Sequence, residues 1–158
     1  MAEHTDNAVL VDAPLELAWE MTNDVPSWPS LFSEYAAAEV LERHGDTVRF
    51  RLTMHPDANG NAWSWVSERT VSAATHTVRA RRTEPGWFRY MDILWSYRQT
   101  PDGVEMRWIQ DFEMRPDSPV DDAAMAERLN RNTAIQQQRI KGLIETAHQD
   151  AVPAPATA

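Results

Sequence analysis

The chain has 158 residues and no cysteine, so it forms a single domain that uses neither disulfides nor thiolate chemistry. Its net charge of -9 argues against nucleic-acid binding, and no apolar run approaches the length of a membrane span. The first residues lack the basic and apolar segments of a secretory signal, so we expect a cytoplasmic protein. Seven tryptophans stand beside four phenylalanines and three tyrosines, an aromatic content that suits either a core or a ligand pocket.

The first part of the chain predicts one strand followed by two short helices. Residues 7–12 alternate loosely and are rich in valine and leucine, which is typical of a strand. Pro14 suits the first turn of a helix, and apolar residues then recur at helical spacing. Two prolines restrict residues 26–32 to a short helix or turn, in which Trp28 and Phe32 are placed to cover a cavity mouth.

The middle of the chain predicts an antiparallel meander with one apolar face. Each break between strands carries Pro, Gly, Asn or Asp, and Asn59-Gly60 is a strong hairpin signal. Phe88 joins the apolar face if a bulge follows Gly86. The predicted strands are residues 36–43, 47–55, 63–69, 75–83, 87–100 and 104–114.

A long helix is predicted to close the domain. Asp121 and Asp122 favour a helix start, and apolar residues recur at helical spacing as far as Ile144. Such a helix covers the apolar face of a curved antiparallel sheet, so the fold class is α+β. We predict one domain over residues 1–148 and a disordered tail over residues 149–158.

One predicted strand carries two indoles, a hydroxyl and a guanidinium on a single face. Trp63, Trp65, Ser67 and Arg69 alternate along it. Large rings belong inside a protein, so the same alternation carries the charge of Arg69 into the interior or to its edge. This pattern has two interpretations: a structural arginine whose stem packs on tryptophan, or a ligand cavity that ends in a fixed positive charge.

Several polar side chains are candidates to share that cavity with Arg69, namely Tyr35, Ser67, Gln110 and Gln136. Arginine keeps its proton, so it is suited to holding an oxyanion or an enolate. A tyrosine exchanges a proton if a neighbouring cation lowers its pKa. The set therefore suits chemistry through enolates. In the competing interpretation, Tyr35 and Gln110 merely satisfy Arg69 inside the core.

Other chemistries have little support in the sequence. The five histidines are scattered, and no pair has the spacing of metal ligands. No G-x-S-x-G motif, Ser-His-Asp arrangement or glycine-rich phosphate loop occurs. We therefore expect no metal and no built-in cofactor.

Seven motifs follow one another along the chain: Thr5-Asp6-Asn7, Thr22-Asn23-Asp24, Trp28-Pro29, Leu31-Phe32-Ser33-Glu34-Tyr35, Pro56-Asp57-Ala58-Asn59-Gly60, residues 63–69 and Glu105-Met106-Arg107-Trp108. Together they resemble the bacterial polyketide aromatase/cyclases, from about Thr5 to Ile144. The resemblance is greatest to the single-domain enzymes of the tetracenomycin and spore-pigment type. It implies the helix-grip fold of the START/Bet v1-like superfamily, with a pocket beneath the long helix.

The resemblance also implies an activity and the residues that carry it. Such enzymes take a linear poly-β-ketone from a minimal polyketide synthase and direct first-ring aldol closure between carbons nine and fourteen, dehydration and aromatisation. Arg69 would polarise a carbonyl oxygen, Tyr35 would shuttle protons, and Gln136 departs from the asparagine of a close relative. The implied pocket residues are Trp28, Phe32, Trp63, Trp65, Ser67, Phe88, Met91, Trp95, Trp108 and Gln110.

The substrate of such enzymes is usually tethered to an acyl carrier protein, which is acidic like this chain. Docking would then need a local basic patch, and Arg79, Arg81, Arg82 and Arg89 lie on neighbouring predicted strands. The alternative is a solvated strand face. Two further classes stay open: a non-catalytic carrier of a lipid or polyketide, and a structural subunit of a synthase complex. We expect a monomer.

Overall fold

A computed structural model describes residues 2–151, in which seven strands form one antiparallel sheet and three α-helices accompany it. This order confirms the predicted α+β helix-grip architecture. The strands are β1 (Glu3–Val11), β2 (Tyr35–His44), β3 (Thr47–Met54), β4 (Ser64–Ser72), β5 (Thr77–Arg82), β6 (Phe88–Thr100) and β7 (Gly103–Met114), and the helices are α1 (Leu15–Asn23), α2 (Trp28–Leu31) and α3 (Asp122–Ala151).

The sheet is a meander of β2 to β7, and the first strand, β1, lies next to the last one, β7. Strands β2 to β7 are neighbours in sequence order, and β1 pairs with β7 at the far edge. The chain therefore crosses from one sheet edge to the other between β1 and β2. Helix α1, a 3-10 turn at Val25–Ser27 and α2 make this crossing, which brings Trp28 and Phe32 against the inner face.

A bulge in β6 sets which side chains face inward. The pairing with β7 shifts register between Phe88 and Tyr90. Phe88 and Met91 are consequently both buried, with 6% and 1% of their surface exposed, although simple alternation puts residues three apart on opposite faces. The condition under which Phe88 joins the apolar face, a bulge after Gly86, is thus met.

Helix α3 packs along the inner face of the sheet. In its second half, Ile140 and Ile144 are fully buried in the main core. In its first half, Met125 and Leu129 pack against a separate cluster of Phe88, Met91, Phe112 and Met114. The helix buries few apolar residues between these two regions, where Thr133, Gln136 and Gln137 face inward instead.

The predicted domain end differs slightly from the structure. Helix α3 continues to Ala151, so residues 149–151 are helical and do not belong to a disordered tail. The remainder of that predicted tail, residues 152–158, lies outside the described residues, as does Met1. Within residues 2–151, no helix is long and apolar enough to cross a membrane.

Candidate active site

A cavity of about 860 Å³ lies on the inner face of the sheet, with α3 forming part of its wall. The long inner surface of the sheet and the polar middle of α3 leave this space unfilled. Every catalytic and substrate-binding residue predicted from the sequence lies on the cavity wall, although their roles stay predictions. These residues are Arg69, Tyr35, Trp28, Phe32, Trp63, Trp65, Ser67, Phe88, Met91, Trp95, Trp108, Gln110 and Gln136.

Stacked rings make up one side of the wall. Trp95 and Trp108 face each other in the β6–β7 register, and their rings stack at 4.5 Å between centroids with an interplanar angle of 11°. Phe32 stacks on Trp108 at 5.8 Å, and Trp28 stacks on Trp95 at 5.7 Å. Aromatic pairs of this kind add about 0.5–1.5 kcal/mol each beyond their buried area. The result is a flat, rigid apolar surface beside the cavity.

Arg69 supplies a buried positive charge on this wall. The residue is only 3% exposed, and its guanidinium carbon lies 5.1 Å from the Trp28 ring centroid and 5.2 Å from that of Trp95. Among residues 2–151 no carboxylate lies within 4.0 Å of it, and its Nη2 atom is buried without a hydrogen-bond partner. Burial lowers the pKa of Arg69 to about 10, so the side chain stays charged at neutral pH. The rings hold the cation without neutralising it.

The two residues that could have satisfied Arg69 have other partners. Gln110 accepts a hydrogen bond at Oε1 from the Thr5 hydroxyl at 2.9 Å. The hydroxyl of Tyr35 instead donates to the carboxylate of Glu34. The competing interpretation, in which Tyr35 and Gln110 complete a polar patch around Arg69, is therefore wrong.

A neutral phenol lies behind Arg69, outside the cavity wall. Burial raises the pKa of Tyr97 to about 12, although its hydrogen bond to Thr22 and the nearby charge of Arg69 act in the opposite direction. The Thr22 hydroxyl gives its own hydrogen to the carbonyl of Ala18 at 2.7 Å. The Tyr97 hydroxyl must then be the donor to Thr22. Tyr97 lies near enough to Arg69 for each to affect the pKa of the other.

A second polar group on the wall consists of Glu34, Tyr35 and Arg82. Burial raises the pKa of Glu34, against the opposing effects of the Tyr35 hydrogen bond and the Arg82 charge. Burial likewise raises the pKa of Tyr35 well above its usual 10, with the charge of Glu34 adding to the effect. The condition for proton exchange named above, a cation that lowers the pKa of Tyr35, is only partly met: Arg82 acts in that direction, but desolvation outweighs it. Tyr35 is therefore a neutral phenol.

The structure corrects the prediction that Arg82 belongs to a basic patch on the surface. Its guanidinium carbon lies 4.1 Å from the Trp65 ring centroid and 4.7 Å from that of Phe88, on the inner face. Strand alternation is the reason, because Arg82 shares parity with the inward-facing Val78. Burial lowers its pKa to about 10. Sequence analysis missed Arg82 as a cavity residue, although this alternation was available as a signal.

The other three arginines of the predicted patch lie outside the cavity. Arg79 and Arg81 are exposed on the outer face of β5. Arg89 is also exposed, and its Nε lies 3.3 Å from a carboxylate oxygen of Glu113. Arg81 has a similar neighbour, since its Nη2 lies 3.9 Å from a carboxylate oxygen of Glu68. The structure thus leaves three of the four arginines exposed.

Trp63 also differs from its predicted place. It precedes β4, is 51% exposed, and its Nε1 donates to the Asp57 carboxylate at 3.4 Å. Trp63 therefore contributes to the cavity wall from a loop, and it does not continue the inward face formed by Trp65, Ser67 and Arg69.

Within the described part of the chain, no group of three or more His, Asp or Glu side chains could hold a metal ion. Seven charged side chains line the cavity, and four of them, Asp57, Glu84, Arg115 and Arg128, are exposed. The three that are withheld from bulk solvent are Arg69, Arg82 and Glu34. This arrangement can stabilise negative charge on oxygen and move protons.

The fold and the aromatic cavity with its buried cation define a helix-grip domain with an interior pocket. The family model described as "Polyketide cyclase / dehydrase and lipid transport" matches residues 11–141. The chain therefore belongs to the polyketide cyclase/dehydrase family, as its motifs predict.

Relatives from Streptomyces agree with this assignment. A protein of Streptomyces cyaneus named "Putative polyketide cyclase" is 58% identical over 145 residues, which cover 92% of this chain and 95% of the relative. The granaticin polyketide synthase bifunctional cyclase/dehydratase of Streptomyces violaceoruber is 31% identical over 150 residues, which cover 93% of this chain and 44% of that protein. The chain thus spans less than half of the bifunctional protein.

Solved structures support the fold. The Zhui aromatase/cyclase from Streptomyces sp. R1128 superposes with a TM-score of 0.80 at 22% identity, covering 92% of this chain and 94% of that one. A START superfamily protein from Mycobacterium smegmatis gives 0.68 at 14% identity, covering 94% and 99%. These matches confirm the START/Bet v1-like fold.

Proposed function

We propose that the protein is an aromatase/cyclase that closes the first ring of a linear poly-β-ketone between carbons nine and fourteen, and then promotes loss of water and aromatisation. The observation that carries the proposal is Arg69: a buried cation with no carboxylate partner on the wall of an aromatic cavity. The 58% identical relative bears the name of a polyketide cyclase. The regiochemistry rests on the resemblance of the motifs to enzymes of the tetracenomycin type.

The chemical step explains why an unpaired cation is useful. When an enolate carbon attacks a ketone, the ketone oxygen becomes an alkoxide. A guanidinium already neutralised by a carboxylate would stabilise this charge poorly, whereas Arg69 has only ring faces beside it. One well-placed donor in a site without water is worth about 3 kcal/mol. Tyr35, a neutral phenol on the same wall, is suited to give the alkoxide its proton.

The shape of the cavity supports control of regiochemistry. A flexible chain of ketones has many aldol closures, and a fixed cavity raises the rate of one by limiting the folded conformers. The flat surface of Trp95 and Trp108 matches the planar ring that forms as water is lost. Aldol closure and dehydration need proton transfers and charge stabilisation, which side chains supply without a cofactor.

The substrate is proposed to arrive on the acyl carrier protein of a minimal polyketide synthase. Arg79, Arg81 and Arg89 are the exposed candidates for docking it, because Arg82 faces the cavity. Arg79 and Arg81 lie together on the outer face of β5. The double variant Arg79→Ala/Arg81→Ala should raise KM for a carrier-bound substrate and leave KM for a free one unchanged. An unchanged KM for the carrier-bound substrate would remove these residues from docking.

The proposed function is tested by reconstitution with a minimal polyketide synthase and carbon-13-labelled acetate. NMR of the products identifies the carbons that are joined. We expect the protein to convert the mixed shunt products into one product closed between carbons nine and fourteen. A mixture unchanged from the control without protein would contradict the proposal. A polyketide that is bound and released unaltered would assign the cavity to a carrier.

A further inference from the structure

Two of the arginines on the cavity wall are withheld from solvent, Arg69 buried and Arg82 half-buried, and the proposed function uses only Arg69. Arg69 on β4 and Arg82 on β5 both face inward, and Ser67 is the Cα partner of Arg82 in the strand register. The two arginines are therefore offset by two residues along neighbouring strands, or about 7 Å. One wall thus presents two positive charges to the same ligand.

Arg82 resembles Arg69 in how its charge is held. Its guanidinium lies on the rings of Trp65 and Phe88, and no ion pair within 4.0 Å is formed with any carboxylate of residues 2–151. It differs in having a carboxylate, Glu34, on the same part of the wall. Tyr35, the residue after Glu34, has its ring centroid 6.1 Å from that of Trp65, the ring on which Arg82 lies. A cation beside a carboxylate on an apolar wall is the pair that enolisation of a ketone needs: a base for the C–H proton and a charge for the enolate oxygen.

Tyr35 connects this pair to Arg69. Its hydroxyl donates to Glu34, and its ring lies 6.2 Å from the Trp28 ring, between centroids. The guanidinium of Arg69 lies 5.1 Å from the centroid of the same Trp28 ring. A proton on Glu34 can therefore pass through a hydrogen bond to the phenol of Tyr35. Tyr35 and Arg69 both lie against the ring of Trp28.

We propose that Glu34 and Arg82 are the enolising pair of the site, with Glu34 as general base and Arg82 as the group that binds the enolate oxygen. This inference rests on the proposed function. Glu34 takes a proton from a methylene group between two ketones, and the C–H electron pair becomes an enolate whose oxygen lies against Arg82. The enolate carbon then forms a bond to a second ketone carbon, and the π pair of that ketone moves to its oxygen beside Arg69.

The protons balance within the same group of residues. The alkoxide at Arg69 takes the hydroxyl proton of Tyr35, and protonated Glu34 returns a proton to the Tyr35 oxygen through their hydrogen bond. The aldol product is thereby neutral, and both side chains are restored. In the following step Glu34 removes the next α-proton, and the hydroxyl leaves as water after taking up that proton. No oxidant, reductant or further reactant is required.

Enolisation alone provides a test that does not depend on ring closure. The probe is benzoylacetone, whose methylene hydrogens exchange in deuterated water and are followed by proton NMR, with the rate in buffer subtracted. Binding of the probe to each full-length variant is measured by quenching of tryptophan fluorescence. We expect the wild type to accelerate exchange, Glu34→Gln to lose at least about tenfold of that acceleration, and Glu34→Asp to keep part of it. Arg82→Met should also slow exchange.

Matched controls separate the inference from a loss of folding. Glu39→Gln changes an exposed carboxylate on β2, and Arg98→Met changes an exposed arginine on β6. Both should exchange at the wild-type rate. Exchange by Glu34→Gln at the wild-type rate with the probe bound would overturn the role of Glu34, and so would a wild type that binds the probe without accelerating exchange.

The outcomes for this inference and for the proposed function are distinguishable. Glu34→Gln that still closes the ring at the wild-type rate in the reconstituted system would overturn the enolising pair and leave the cyclase proposal in place. A wild type that accelerates exchange through Glu34 but leaves the polyketide products unchanged would contradict the cyclase proposal and leave the enolising pair in place.

Discussion

Gln136 in α3 and Ser33 just before β2 exchange two hydrogen bonds. The Ser33 backbone N–H donates to Oε1 of Gln136 at 2.9 Å, and Nε2 of Gln136 donates to the Ser33 hydroxyl at 2.8 Å. One helical turn further on, Arg139 donates to the backbone carbonyls of Leu31 and Ser30. Glu34 and Tyr35 follow Ser33 directly, so α3 fixes the segment that carries both of them onto the cavity wall.

Shortening Gln136 should therefore weaken both the fold and the reaction. Gln136→Asn has one methylene fewer and cannot keep both hydrogen bonds to Ser33. We expect a loss of about 0.5–1.5 kcal/mol in the free energy of unfolding, because hydrogen bonds to Ser33 are lost while water can solvate this exposed residue, together with slower ring closure. Urea denaturation and the reconstituted assay measure the two effects. The control is Gln138→Asn on the exposed side of the same helix; equal behaviour of the two variants would contradict this role.

Tyr97 should stabilise the fold only while its hydroxyl is protonated. Tyr97→Phe removes the hydrogen bond to Thr22 and should lower the free energy of unfolding by about 1 kcal/mol at neutral pH. In the unfolded chain a tyrosine ionises near 10, whereas the folded pKa is about 12. Between these values the folded state binds more protons than the unfolded state, so stability falls as the pH rises. The wild type should lose about 2–3 kcal/mol relative to Tyr97→Phe over this interval.

Chemical denaturation of both proteins at several pH values between about 9 and 12 measures this difference. Tyr90→Phe serves as the control, because Tyr90 is half-buried on the same strand. A stability difference between wild type and Tyr97→Phe that stays constant over the alkaline range would show that the phenol is not held neutral in the fold.

The rate of ring closure should fall at acid pH because Glu34 becomes protonated. A general base works only when ionised, and burial raises the pKa of Glu34 above its usual 4.5 even though the Tyr35 hydroxyl and the Arg82 charge face it. We expect the rate to fall as the pH drops through this raised value. Initial rates of the wild type and Glu34→Gln across the acid range measure it. If the rate of Glu34→Gln falls over the same acid range as that of the wild type, the titrating group is not Glu34.

Alternation along strands predicted much of this site, and its failures have local causes. The inward position of Arg69 and the bulge that buries Phe88 both follow from the pattern of rings and glycine. Trp63 has the same parity as Arg69, yet β4 begins only at Ser64, and Asp57 holds the indole in the preceding loop. Alternation therefore predicts which face a side chain occupies only for residues that are paired within the strand.

The second polar group was harder to predict. Arg82 lies in a run of arginines that suggests a solvated face, and only its alternation with Arg79 and Arg81 separates it from them. Glu34 lies outside any strand, where no periodicity applies. Its place on the wall depends on the contact between Gln136 and Ser33, two residues far apart in sequence. Such long-range contacts have no sequence signal in a single chain.

The most direct test of the account is ring closure by Arg69 variants in the reconstituted system. Arg69→Ala, Arg69→Lys and the exposed-site control Arg98→Ala are compared with wild type for folding by circular dichroism and for products by NMR. We predict folded variants, a loss of about 10²-fold in correctly closed product for Arg69→Ala, a partial loss for Arg69→Lys, and no loss for the control. Wild-type amounts of the same product from folded Arg69→Ala would contradict the central claim that this cation carries the reaction.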